Sequence, residues 1–179
     1  MWFGDDRAVP PDHEFSNYKM VKEALLDRIS GSQPDVKRIK GELGYRDAAD
    51  DYERELRAAF EDEGVPRLDL ILLGIGHDAH TASLFPNQDS LGVTDRLVVG
   101  VETPGMEPVV ARVTMTLPVL GAAHEVVFLI EGEDKADAVA RAFGGEPGPD
   151  APASLVRPDP GKLTLLFDPA AAAKLDAAL

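Results

Sequence analysis

Two periodicities alternate along this chain. Short apolar runs closed by glycine read as strands, and stretches with apolar residues every third or fourth position read as helices. The clearest run is residues 68–73, Leu-Asp-Leu-Ile-Leu-Leu, closed by Gly74. It predicts a buried strand of a parallel sheet. Residues 125–130 (EVVFLI), closed by Gly132, predict a second, and residues 162–168 a last one. Residues 96–102 and 111–117, rich in Val and Thr and separated by Pro104 and Gly105, predict two more. Residues 1–4 could be a strand end, whereas residues 5–11, with Pro10 and Pro11, read as a loop.

The helical pattern first occurs over residues 17–26, behind Ser16 as N-cap, with Met20, Val21, Ala24 and Leu25 as its inward stripe. It recurs over residues 48–63, where Ala48, Ala49, Tyr52, Leu56, Ala59 and Phe60 share one side until Gly64 and Pro66 stop the helix. Residues 134–143 follow, with Ala136, Val139, Ala140 and Phe143 inward, and residues 170–179 close the chain. Residues 81–84 read as a short helix or turn. The basic run Lys37, Arg38 and Lys40 reads as solvated surface. Strands alternating with helices predict one α/β domain over residues 1–179, a parallel or mixed sheet with helices on both faces.

Composition narrows the partners. At 179 residues and 44% hydrophobic content, the chain can bury one good core. A net charge of −14 argues against nucleic acid and anionic membrane, both polyanions. No apolar stretch approaches the roughly 20 residues that span a bilayer, and the amino terminus lacks the basic flank and apolar core of a signal peptide. With no cysteine there is no disulfide or thiol nucleophile, and a cytoplasmic location fits. A small phosphorylated ligand would need a local cluster of Arg and Lys.

Candidate chemistry gathers just past the first apolar run, at Asp78, His80, Thr81 and Ser83. In open α/β sheets the carboxyl ends of strands are where ligands bind. A carboxylate two residues from an imidazole can orient it as a general base; equally, His80 could cap the turn while Asp78 binds backbone amides. His77 reads as exposed. His13 and His124 stand alone, without metal-ligand spacing; composition leaves a carboxylate-bound magnesium open. Ser83 lacks the G-x-S-x-G setting of a nucleophile and reads as structural. Gly74-Ile75-Gly76 lacks the third glycine of a dinucleotide fingerprint. Asp6 and Arg7 are either a solvated pair or two ligand contacts. Lys135, near a helix start, opposes the macrodipole, a cost that a bound anion would offset. Arg112 opens a strand.

These residues carry a resemblance. GIGHDAHTASLFP at residues 74–86 closely resembles the G-x-G-x-D-G-H-T-A-S-L-F-P signature of the 6-phosphogluconolactonases. Residues 2–11 resemble that family's W-x-D-E-R-x-V-P-P strand end, and Ser16-Asn17-Tyr18 its S-N-Y. Residues 112–118 resemble its R-I-T-L-T-L-P, residues 132–136 its G-x-x-K-A and residues 152–155 its P-A-S-L. The resemblance implies a Rossmann-like fold and a cytoplasmic enzyme, monomer or homodimer, that hydrolyses 6-phospho-D-glucono-1,5-lactone in the pentose phosphate pathway. It implies His80 as the base that activates water and Asp78 as its orienter. Arg7, Arg112 and Lys135 would face the phosphate. Asp6 and Asn17 would contact hydroxyls or orient Arg7, and Thr81 would be a further substrate contact. Amides around Gly74 and Gly76 are expected, on physical grounds, to meet the developing oxyanion. No metal or organic cofactor is expected, because a lactone is already an activated ester.

Two rivals stand beside this reading: a glucosamine-6-phosphate deaminase or sugar-phosphate isomerase, against which the T-A-S-L-F-P tail argues, and a non-catalytic remnant of the fold. The chain also departs from the family pattern. Ala79 replaces a glycine, which costs about 1 kcal/mol if φ is positive there. His77 stands where the family often has an acid, and Asp6 where it has Glu. No G-G-x-T-P phosphate loop occurs, so the sheet is expected to lack the family's leading strands and the domain to be incomplete at its amino terminus.

Overall fold

The computed structural model describes residues 1–60 and 64–175. In chain order the elements are β1 (Asp5–Arg7), α1 (Asn17–Ala24), α2 (Tyr45–Ala59), β2 (Leu70–Leu73), β3 (Val98–Val101), β4 (Arg112–Met115), α3 (Leu117–Ala122), β5 (Glu125–Ile130), α4 (Ala136–Phe143) and β6 (Lys162–Phe167). The strands form two three-stranded sheets. One is antiparallel in the order β1-β4-β3; the other is parallel in the order β2-β5-β6. The mixed α/β architecture read from the sequence is the one observed.

Helix α2 packs on β3 and β4 through Ala48, Ala49, Tyr52 and Leu56, all at most 1% exposed. Burying a side chain such as Leu56 stabilises the fold by about 1.5–3 kcal/mol. The close approach requires Gly100 in β3, where a Cβ would lie 2.6 Å from Tyr45. The Tyr52 hydroxyl ties the helix to the amino terminus: it accepts from the Phe3 amide at 2.7 Å and lies 3.0 Å from the Phe3 carbonyl. On the parallel sheet, α4 buries Ala136, Ala138, Val139, Ala142 and Phe143. The Phe143 ring meets Phe128 of β5 edge-on and also Phe167 of β6.

Several elements differ from the sequence reading, each for a tertiary reason. Asp5–Arg7 is a strand, not a loop, because β4 supplies its ladder partners. In α1 the expected inward stripe is mostly outside: Met20 is 60% and Leu25 49% exposed, and Ala24 is exposed too. Tyr18 and Val21 make its contact with the core. In β2 the alternate residues Leu70 and Leu72 are exposed rather than buried, as are Leu129 of β5 and Leu166 of β6, so one face of the parallel sheet is open there. The second Val/Thr run ends at Met115, and the unforeseen α3 follows with Pro118 in its first turn. Residues 81–84 form a turn, and Ala59, expected inward, is exposed. The outer parts of two expected helices, residues 61–63 and 176–179, lie outside the described residues; residues 170–174 are turns.

Removing the Tyr52 hydroxyl strands the buried Phe3 N–H. Tyr52→Phe is therefore expected to lower stability by about 1–3 kcal/mol in urea titrations, with an unchanged m-value.

Candidate active site

The functional candidates meet where four chain segments end on one side of the molecule. Arg7 ends β1, Arg112 begins β4, residues 74–81 leave the carboxyl end of β2, and residues 132–135 leave that of β5. Together with Asn17 at the start of α1 they line a cleft of about 410 Å³. Arg7, Asn17, Gly74, Gly76, His80, Thr81, Arg112 and Lys135 are all on its wall, alongside His77.

The turn after β2 is built around an imidazole. The Gly76 amide donates to the His80 carbonyl at 2.9 Å, and the Ala79 amide returns a bond to the Gly76 carbonyl at 3.0 Å. The Thr81 hydroxyl donates to the Gly74 carbonyl at 2.9 Å. A Cβ on Gly76 would fall 2.0 Å from His80 Nδ1, so glycine is required there for space. Ala79 sits at φ 68°, the left-handed region in which a β-carbon is strained. Its carbonyl accepts from the Ala153 amide, which ties the turn to residues 152–155.

Asp78 holds the ring. Its Oδ1 lies 2.6 Å from His80 Nδ1 and also accepts from the His80 amide at 3.1 Å. The ring packs on Phe85, centroids 4.6 Å apart. Burial works against ionisation of Asp78, but the His80 amide and imidazole outweigh it and hold the carboxyl below the usual range. A proton on Nδ1, held by the carboxylate, leaves the Nε2 lone pair as the base of this ring.

The cationic wall follows from strand register. Arg7 and Arg112 are directly opposite on β1 and β4. Like charges so placed repel across a ladder. Neither forms an ion pair among the described residues: Arg7 bonds the Phe15 carbonyl and Asn17 Oδ1, and Arg112 the carbonyls of Val110 and Pro108. Arg7 Nε is buried with no partner. Burial, then the charge of Arg7, pushes the Arg112 guanidinium below its ordinary value. A third cation, Lys135, comes from the β5 loop, whose Gly132 amide is pinned by Asp168 at 3.1 Å. Three cations thus gather on one cleft of an acidic protein, Lys135 with Asp134 Oδ2 3.7 Å away.

Two expectations change on inspection. Asp6 is not on the cleft: it is 2% exposed and accepts from the amides of Arg7, Asn17 and Tyr18, which fastens the start of α1 to β1. Burial raises its carboxyl despite those three donors. The Gly76 amide is occupied by the His80 carbonyl and is not available to an oxyanion. Conversely, the sequence reading passed over Asp5. It lines the cleft and accepts from Ser83 Oγ at 2.7 Å; alternation along the strand, which turns Asp6 inward, turns its neighbour to the cleft. Ser83 is structural, as expected.

The fold is mixed α/β, and a histidine–carboxylate pair and a cationic cluster lie together at its strand ends. The chain belongs to the family described as glucosamine-6-phosphate isomerases/6-phosphogluconolactonase, whose model matches residues 1–165. Relatives named as 6-phosphogluconolactonases match nearly the whole chain. The human 6-phosphogluconolactonase is 41% identical over 170 residues, covering 95% of this chain, and a probable 6-phosphogluconolactonase of Arabidopsis thaliana is 38% identical over 98% of it. The chain spans 66% of the human relative's length and 70% of the plant one's. The 6-phosphogluconolactonase structure from Trypanosoma brucei superposes with a TM-score of 0.82 at 27% identity, over 97% of this chain and 73% of that one.

Two outcomes test the turn. Ala79→Gly relieves a strained φ, and thermal or urea unfolding should show a gain of up to about 1 kcal/mol. For Asp78 the lowered folded value means its stabilisation is complete above the unfolded value near pH 3.9 and is lost as pH falls through the folded one. The stability difference between the parent and Asp78→Asn should therefore shrink under strong acid, as followed by urea unfolding.

Proposed function

We propose that this chain hydrolyses 6-phospho-D-glucono-1,5-lactone to 6-phosphogluconate. The observation that carries the reading is the Asp78–His80 pair, which leaves Nε2 as a base in the same cleft as Arg7, Arg112 and Lys135. The lactone supplies the matching features, a phosphate at one end and an activated carbonyl at the other. Relatives named as lactonases support the reading, and so does the TASLFP run at residues 81–86.

In the mechanism, the phosphate docks against the opposed guanidinium groups and Lys135, relieving their repulsion. Asp5 accepts a sugar hydroxyl, and Asn17 holds Arg7 in place. Asp78 keeps the proton on Nδ1, and Nε2 takes a proton from water as the water oxygen bonds to C1. The tetrahedral intermediate collapses by breaking the bond from C1 to the ring oxygen. The imidazolium returns its proton to that oxygen, which becomes the C5 hydroxyl, and C1 becomes the carboxylic acid. All of this is polar chemistry of the chain's own side chains.

The test is lactone hydrolysis by the purified chain, measured above the spontaneous rate. His80→Ala should lower kcat by about 10²–10⁴-fold. Arg112→Met should raise KM at least tenfold with a smaller change in kcat, as expected for a charge-assisted phosphate contact. Faster turnover of glucosamine 6-phosphate would move the assignment to the deaminases. Rates equal to the spontaneous one would identify a binding protein with the same fold.

A further inference from the structure

His77 is outside the mechanism above, yet it bridges two of the loops that form the cleft. It follows β2, while its contacts lie in the loop after β5. Its Nδ1 is 3.2 Å from the Asp134 carbonyl and 3.6 Å from Asp134 Oδ2, and its Nε2 is 3.4 Å from Lys135 Nζ. Lys135 Nζ also lies 3.7 Å from Asp134 Oδ2.

The two ends of the ring specify one tautomer. An ammonium has only donors, so Nε2 must face Lys135 with its lone pair. The proton is then on Nδ1, where the Asp134 carbonyl accepts. We propose that His77, in this neutral form, is a positioning residue that aims the Lys135 ammonium into the cleft. The inference rests on the phosphate reading of that cleft.

The consequence is preorganisation. A lysine tip on its four-carbon stem loses rotamer freedom when it grips a phosphate. An imidazole lone pair that already holds the tip removes part of that loss before substrate arrives. The contact is made equally before and during the reaction, so it should act on KM and leave kcat alone.

The experiment compares His77→Phe, which keeps a flat ring without nitrogens, with His77→Gln, whose amide oxygen can accept near the Nε2 position. At neutral pH, His77→Phe should raise KM for the lactone about 3–10-fold, with kcat within about twofold, and His77→Gln should recover most of the loss. In a Lys135→Met background His77→Phe should have no further effect. An unchanged KM in His77→Phe, an effect on kcat alone, or an equal KM effect without Lys135 would each overturn the proposal. Nitrogen NMR of the resting protein gives a readout independent of turnover: the His77 proton should reside on Nδ1, and Lys135→Met should shift the Nε2 resonance. A proton on Nε2 overturns the proposal even if the lactone is hydrolysed. A wild-type chain without lactone turnover overturns the functional reading, and the nitrogen shifts still decide whether His77 holds Lys135.

Discussion

An imidazole seated where a β-carbon would otherwise stand is the constraint on which the site depends. His80 can lie against the backbone at Gly76 only because that residue has no side chain, and Asp78 can reach Nδ1 only because the turn closes within five residues. The turn pays for this with a left-handed alanine, and residues 152–155 brace it through the Ala153 amide and Ala79 carbonyl. Chemistry, turn geometry and the supporting segment are thus one unit.

The cationic side of the cleft has a different origin. Two arginines 105 positions apart in sequence face each other because β1 and β4 pair in a single register. A slip of one residue would turn their side chains to opposite faces and leave no anion site. Asp6 helps prevent that slip by fastening β1 to the start of α1. The repulsion is sustained by the rest of the fold and would be relieved by a bound anion. The overall charge of −14 therefore says nothing against a phosphorylated ligand; the basic run of Lys37, Arg38 and Lys40, by contrast, is neutralised by Asp35, Glu42, Asp51 and Glu55 at the surface.

Much of this was legible in the residues. The parallel strands over 125–130 and 162–167, the N-cap at Ser16 and the helix face of Ala48, Tyr52 and Leu56 all follow from periodicity and local bonding. Those features depend on neighbours within a few positions, and a sequence displays such neighbours directly. The exposed Leu70 and Leu72 were not legible, because an apolar run does not show whether both faces of its sheet are covered. Nor was the inward stripe misassigned to α1, since helical spacing shows that a stripe exists but not what it packs against.

The site divides along the same line. By itself, the sequence determined that a carboxylate and an imidazole share a short glycine-bounded turn, because both lie within three residues, and it carried the family signature through residues 74–86. The tertiary structure alone decided that Asp5 rather than Asp6 meets the cleft, that the Gly76 amide is already bonded, and that Arg7, Arg112 and Lys135 converge. The physical reason is distance along the chain: strand register and loop packing bring together groups whose mutual position no local pattern encodes.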